Sequence, residues 1–496
     1  MEPFDPWQRS LIASQVWGLP QADPALLRRL QGQRLVRLVA HARAHSALYR
    51  RRWQGLDLGA DADEGLACLG RLPMLGKAEL MAAFDDWVTD PALRLDDLRR
   101  FTADPARIGE SYLGRYTVWE SSGSSGVPGV FVQDAFTLAV YDALELLRRP
   151  WSMRRLLDPL FAGERIAFVG ATDGHFAAVV AMRRLQRLNP WLAGRVHLLS
   201  FLQPMPALVA RLQALQPTLI GTYPNTALLL AEEQRAGRLA LRPQELRTGG
   251  ETLTPAMRRF IEQAFGCPVV DSYGASEFYA LASACRCGRL HLNSDWALLE
   301  SVDDRGQPVP PGEIGSTALL THLANLTQPL LRYDLGDRIR LPAERCDCGS
   351  RLPLVEVEGR HDDLLRLPGR HGGPVGLTPL ALCTVLEEEA GLFDFQLVQR
   401  GPAALALAVP QRGEAAQQQL ARARQALDAY FERQAARQPR WELLEGQALQ
   451  RGPGGKLQRV VALGAQGPQG RGRRLKPTTG AGTPAASRPG RRAPAA

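Results

Sequence analysis

Between residues 165 and 274, short apolar runs alternate with stretches of helical period, and this alternation constrains the fold most. Strands are expected at 165–170, 196–201, 218–223, 245–248 and 269–274, with helices at 176–188, 205–215, 226–235 and 255–265. Strand–helix–strand repeats close as right-handed βαβ units, so the fold class is α/β on a largely parallel sheet. Ligands of such sheets bind at the carboxyl ends of the strands. Gly221-Thr222-Tyr223, Gly249-Gly250-Glu251 and Ser272-Tyr273-Gly274 all fall at such ends.

The flanks read differently. Residues 1 to about 100 carry apolar positions at helical spacing with arginines between them, as in Leu35-Val36-Arg37-Leu38-Val39. His41 and His45 stand four apart there, and a solvated helix face is the simpler reading than a metal pair. Leu72-Pro73-Met74-Leu75-Gly76-Lys77 is a turn opening the next helix, closed by Phe84-Asp85-Asp86-Trp87. Beyond residue 365 the pattern shrinks to a small α+β unit of about a hundred residues.

Upstream of the alternating region, an apolar run leads into Ser121-Ser122-Gly123-Ser124-Ser125-Gly126-Val127-Pro128-Gly129. Glycines let the backbone turn its N–H groups inward and serine hydroxyls add donors without bulk, which suits a loop around phosphate oxygens. It is not the Walker pattern, since Gly-Lys-Ser/Thr is missing. A flexible linker is the alternative reading of that composition.

The formal net charge of +9 is misleading. Residues 465–496 hold seven basic side chains and no acidic one, so the remainder carries 9 − 7 = +2. That Gly/Pro/Ala-rich tail is expected to be disordered, and a solvated extension is a simpler reading than a nucleic-acid or anionic-lipid contact. No run approaches the ~20 apolar residues of a membrane span. The start, Met1-Glu2-Pro3-Phe4-Asp5-Pro6, lacks a basic region followed by an apolar one, so a cytoplasmic protein is expected.

Four further motifs follow in order. They are Asp271-Ser272-Tyr273-Gly274-Ala275-Ser276-Glu277, Leu331-Arg332-Tyr333-Asp334-Leu335-Gly336-Asp337, Gly359-Arg360-His361-Asp362-Asp363-Leu364 and Arg451-Gly452-Pro453-Gly454-Gly455-Lys456-Leu457-Gln458-Arg459. With the serine loop, this ordered set resembles the adenylate-forming superfamily of acyl-CoA synthetases. The resemblance spans residues 30 to 465 and is closest to the phenylacetate-CoA ligase branch. Phe84-Asp85-Asp86-Trp87, Cys285-Arg286-Cys287-Gly288-Arg289-Leu290-His291 and Cys346-Asp347-Cys348-Gly349 point within it to the deazaflavin-adenylylating and hydroxybenzoate-activating subgroup.

The resemblance implies a role for each matching position. Ser121, Ser122, Gly123, Ser124, Ser125 and Gly126 grip the ATP phosphates. Gly249, Gly250 and Glu251 line the nucleotide and acyl pocket, with Tyr223 beside it. Tyr273, followed by Gly274, lies by the adenine. Ser276 stands where the family often has threonine, and Glu277 binds Mg²⁺. Asp337 accepts from the ribose hydroxyls and Arg360 reaches the nucleotide. Asp362 is the hinge of a small mobile lobe, and Lys456 bridges the carboxylate and the α-phosphate. His175 or Phe176 is placed near the carboxylate, although a plain helix start at Asp173 reads equally well. Many relatives carry a lysine after the loop proline, where this chain has Gly129.

The implied organisation is a helical part of the large domain (1–100), the AMP-binding large domain (101–361), a small C-terminal lid (362–464) and the tail (465–496). The implied activity is ATP- and Mg²⁺-dependent adenylation of an aromatic carboxylic acid. The acyl group then passes to a thiol of coenzyme A or of an acyl carrier protein's phosphopantetheine. Rival readings are transfer of AMP to a hydroxyl acceptor and a non-catalytic scaffold.

Seven cysteines in a chain of this kind argue against a disulfide framework. Cys285-x-Cys287 and Cys346-x-Cys348 form two similar turns, with His291 near the first, giving five candidates for a four-ligand structural Zn²⁺ site. An all-cysteine set and a set of Cys285, His291, Cys346 and Cys348 both work, and the resemblance favours including His291. Reduced packing cysteines are the alternative, and Cys68, Cys267 and Cys383 read as core residues.

Overall fold

A computed structural model describes residues 6–56, 66–67, 69–121, 128–150, 163–358, 364–449 and 459–462. The alternating region folds as the sequence pattern dictates. Strands β3 (Ile166–Gly170), β4 (Val196–Ser200), β5 (Leu219–Thr222), β6 (Glu245–Gly249) and β7 (Val269–Tyr273) pair in parallel in the order β4-β3-β5-β6-β7. Two short antiparallel strands, β8 (Ala282–Ala284) and β9 (Leu290–Leu292), extend the sheet beyond β7.

Local chemistry fixes the crossovers. The helix before β7, Pro255–Phe265, has proline at its first position and Thr254 accepting from Met257 N–H, and it ends on left-handed Gly266. Helix α3 (Ala135–Leu147) is capped by Asp134 accepting from Thr137 N–H. Ahead of it lie α1 (Pro6–Gly18), α2 (Pro24–His45) and the shorter helices Ala47–Arg52, Lys77–Ala82, Phe84–Trp87 and Leu95–Thr102, so the N-terminal region is helical as expected.

Strands β1 (Thr117–Glu120) and β2 (Val130–Gln133) form an antiparallel ribbon on either side of the serine loop. Strands β10 (Ala297–Val302), β11 (Thr317–His322) and β12 (Tyr333–Asp334) make a second sheet. One apolar cluster joins the N-terminal helices, this ribbon and that sheet, with Trp53, Trp87 and Trp119 fully buried in it.

The C-terminal segment supplies a four-stranded sheet of β13 (Gln396–Gly401), β14 (Ala404–Ala408), β15 (Arg440–Leu444) and β16 (Val460–Val461), packed by a helix, Glu414–Arg433. Its apolar side chains do not form a separate core. Leu365, Leu382, Phe395 and Phe431 belong to the same buried cluster as Val169, Ile220 and Leu246 of the parallel sheet. Gly376 lies against Leu229, whose Cδ2 would be 2.6 Å from a Cβ there, and Arg366 pairs with Glu232 at 2.7 Å beside it. Among the described residues, no helix is long and apolar enough to cross a membrane.

Candidate active site

The carboxyl edge of β5, β6 and β7 opens into a cleft of about 1850 Å³. Tyr223, Gly249, Gly250, Gly274, Ser276 and Glu277 line it from the sheet side, and Ser121 and Asp337 from two other segments. The positions predicted from four separate motifs therefore converge. Ser122 to Gly126, Arg360, Asp362 and Lys456 lie outside the described residues.

The stems of the serine loop are pinned together. Ser121 N–H donates to the Gly129 carbonyl and Gly129 N–H donates to Ser121 Oγ, both at 2.8 Å. Trp119 Nε1 donates to the Ser276 carbonyl at 2.7 Å, locking this ribbon to the Tyr-Gly turn. The turn itself needs glycine at 274, because a Cβ there falls 2.1 Å from the Tyr279 carbonyl oxygen.

Each acidic candidate in the cleft is held by a phenol. Tyr333 Oη donates to Glu277 Oε1 at 2.7 Å, and Tyr273 Oη donates to Asp337 Oδ2 at 2.9 Å. Burial, and then the neighbouring carboxylate, pushes both phenols far above their usual range, so they remain protonated donors. Tyr273 itself is buried and does not line the cleft; Gly274 does. Glu251 turns away, accepting from Asn225 N–H at the first turn of the helix after β5, Pro224–Arg235.

Of the alternatives His175 and Phe176, Phe176 lines the cleft. The His175 ring is 1% exposed, with Nε2 3.1 Å from the Asp104 carbonyl and an edge-on contact with Phe101. The helix α4 (Ala177–Leu188) starts just after it.

The cleft continues along the sheet. Register places Ile166 beside Leu219, and Phe168 beside Gly221, on β3 and β5. Ala178, Ala181 and Leu185 of α4 and Tyr141 of α3 line the same space. The charges beside it are paired, Asp142 with Arg184 at 2.8 Å and Glu245 with Arg247 at 2.5 Å. Burial lowers the Arg247 guanidinium to about 10.

Nothing in the sequence around Lys77 marks a role for it, yet it lines the cleft with Nζ 3.3 Å from Ser121 Oγ. It precedes the loop by 44 residues, too far for a local motif to flag it.

Comparison with known proteins fits this geometry. The AMP-binding enzyme family model matches residues 184–321. Phenylacetate-coenzyme A ligase of Thermus thermophilus is 26% identical over 365 residues, 69% of this chain and 72% of that one. The Escherichia coli enzyme of the same name is 26% identical over 358 residues, covering 69% and 73%. A solved 2-hydroxyisobutyryl-CoA ligase aligns over 90% of this chain and 91% of its own with a TM-score of 0.56 at 20% identity, a likeness of fold. The chain belongs to the adenylate-forming superfamily.

In this adenylate-forming chain the cysteine turns come together at the edge of the large sheet. Cys285, His291, Cys346 and Cys348 present donor atoms all within 4.8 Å of one another, while Cys287 is exposed and outside the set. Both turns carry a left-handed glycine, Gly288 and Gly349. Cys285 Sγ lies 3.7 Å from Cys346 Sγ, and Cys348 Sγ 3.3 Å from His291 Nε2. Tetrahedral bonds of about 2.3 Å set sulfur–sulfur edges of about 3.8 Å, so the spacing fits a tetrahedral metal. His291 Nδ1 donates to the Leu352 carbonyl at 2.9 Å, which leaves Nε2 free to ligate. The four donors suit Zn²⁺.

Proposed function

We propose that the chain is an AMP-forming acid–thiol ligase that activates a carboxylic acid and transfers it to coenzyme A. The observation that carries this reading is the convergence of Ser121, Glu277 and Asp337, each from a different motif, on one cleft. The phenylacetate-coenzyme A ligase relatives support the aromatic or other apolar character of the acid.

In the first half-reaction a carboxylate oxygen attacks the α-phosphorus of ATP, the α–β P–O bond breaks and pyrophosphate leaves. Charge grows on phosphate oxygens, so the protein positions and neutralises. The serine loop grips the phosphates, Asp337 accepts from the ribose hydroxyls, and Lys456 bridges carboxylate and α-phosphate. Glu277, fixed by Tyr333, would hold Mg²⁺, which neutralises phosphate charge when bound. In the second half-reaction a thiol sulfur attacks the acyl carbon, the bond to AMP breaks, and the thiol proton passes to solvent. The segment beyond Asp362 turns between the two steps.

The thiol is that of coenzyme A, with a carrier-protein phosphopantetheine as the second candidate. Zn²⁺ on Cys285, His291, Cys346 and Cys348 staples the loop after Glu277 to the segment after Asp337. That tetrad supports placement in the hydroxybenzoate-activating and deazaflavin-adenylylating subgroup. A cytoplasmic location is part of the same reading.

Pyrophosphate release and hydroxamate trapping over a panel of acids tests the reading. The expected outcome is acid-dependent pyrophosphate, free AMP and an acyl thioester. AMP attached to a hydroxyl product would replace ligation by nucleotidyl transfer, and no pyrophosphate with any acid would overturn the reading.

A further inference from the structure

Gly129 closes the serine loop without the lysine that relatives carry, and no lysine occurs from Tyr116 to Gly129. The structure gives a steric reason. A Cβ at Gly129 would lie 2.8 Å from Phe131 Cε2 and 3.3 Å from Ser121 Oγ. Phe131 is 1% exposed in the core of β2, so its ring has no room to retreat. The loop cannot carry its cation at that position.

An ammonium reaches the same place from another segment. Lys77 Nζ sits 3.3 Å from Ser121 Oγ, at the stem of the loop, and faces the cleft. Lys77 makes no ion pair with a described residue, whereas among the other cations of the cleft Arg149, Arg184 and Arg247 pair with Glu145, Asp142 and Glu245, and Arg338 donates to the Gly315 carbonyl at 3.2 Å. Meanwhile Glu120, Glu277, Asp334 and Asp337 line the cleft. A polyphosphate entering beside those carboxylates needs positive charge, and a compact ammonium serves as a point charge for it.

The segment that presents Lys77 is rigidly tied. Leu75 N–H donates to the Arg332 carbonyl at 3.2 Å, and Asp334 N–H donates to the Leu75 carbonyl at 2.8 Å. Arg332 itself is 3% exposed, pairs with Glu300 at 3.0 Å and donates to the Leu72 carbonyl at 2.9 Å. A buried guanidinium is thus used to fix the height of the turn leading to Lys77.

We infer that Lys77 is the cationic contact for the pyrophosphate end of the bound nucleotide, replacing in space the lysine that Gly129 excludes. This assignment rests on the ligase reading above. It predicts that Lys77 distinguishes ATP from AMP, because AMP lacks the β- and γ-phosphates. It predicts equally that the thiol step, which starts from acyl-adenylate, does not use it.

The test uses the full-length protein with Lys77→Ala, Lys77→Met, which keeps the stem, and Lys77→Arg. The KM for ATP, and that for pyrophosphate in the exchange reaction, should rise about 10- to 100-fold in the Ala and Met variants, the range for one hydrogen bond to a charged group. AMP affinity by calorimetry and thioester formation from supplied acyl-adenylate should stay within about threefold, and Lys77→Arg should recover most of the loss. Equal weakening of ATP and AMP, or no change in either, would overturn the inference. A wild-type protein that binds neither nucleotide would instead refute the underlying ligase reading, and this inference with it.

Discussion

Tyr273 donates its phenolic hydrogen to Asp337 Oδ2 at 2.9 Å, joining residues 64 positions apart. One carboxylate oxygen is thereby occupied and the aspartate is fixed in direction. That is the preparation needed by a group that must accept from two neighbouring hydroxyls of a sugar. Tyr273→Phe should therefore raise the KM for ATP by about tenfold with kcat little changed, and Asp337→Ala should cost more. Steady-state kinetics in ATP check both, and an unchanged KM in Tyr273→Phe would contradict the positioning role.

Lys456 is the compact cation of the C-terminal glycine-rich motif. Removing one electrostatic stabiliser of a developing charge costs about 10²–10³ in rate. Lys456→Ala is expected to slow adenylation by that factor while leaving thioester formation from supplied acyl-adenylate nearly intact. Pyrophosphate exchange at the wild-type rate would refute it.

The tetrad of Cys285, His291, Cys346 and Cys348 predicts about one Zn²⁺ per chain by elemental analysis. Cys346→Ser should lose the metal and lower the melting temperature, whereas Cys287→Ser should retain it, since Cys287 stands outside the set. Equal metal loss in the two variants would restore the all-cysteine alternative.

Gly221 leaves open the space beside Phe168. A Cβ there would meet only Phe168 Cδ2, at an ordinary 3.6 Å. Gly221→Leu should fold and fill the space between sheet and α4. The four-residue rise of β3 from Ile166 to Gly170 spans about 13 Å, room for some ten extended carbons. Catalytic efficiency with dodecanoate should fall at least about tenfold in this variant, while that with benzoate changes little. Equal losses on both acids would show that the acid does not use this space.

His322 is fully buried, and burial lowers its pKa from 6.5 to about 3. Its Nδ1 accepts from Ala324 N–H at 3.2 Å, so Nε2 carries the proton and donates to the Tyr141 oxygen at 2.9 Å. The folded pKa lies below the unfolded one, so the stabilising contribution is present above pH 6.5 and is lost as pH falls toward 3. The stability difference between wild type and His322→Asn should shrink by about 2 kcal/mol between pH 7 and pH 5. Urea unfolding at the two values measures it, and a pH-independent difference would count against it.

The sheet was legible because apolar runs and helical periods speak locally, and all five parallel strands fall at their expected places. The site was legible where a motif carries its own geometry, as at Gly274 or in the two Cys-x-Cys-Gly turns. What remained hidden depends on distant partners. Arg332 reads as part of a nucleotide motif but is spent on tying down Leu72 and Gly306. His175 and Phe176 are adjacent, and the distant Phe101 and Asp104 hold the histidine while Phe176 lines the cleft. The partnership of Lys77 with Ser121 has no local signal, because it arises where a helical region meets a ribbon.

Leu229, packed against Gly376, and Arg366, paired with Glu232, sit on a seam where two halves of the chain share one greasy interior. The pivot proposed for the C-terminal segment would have to re-wet that seam and dry it again in each cycle. Hydration of newly bared apolar surface carries a large heat capacity. The pace of turnover is therefore expected to bend with temperature in a way that bond-making alone would not.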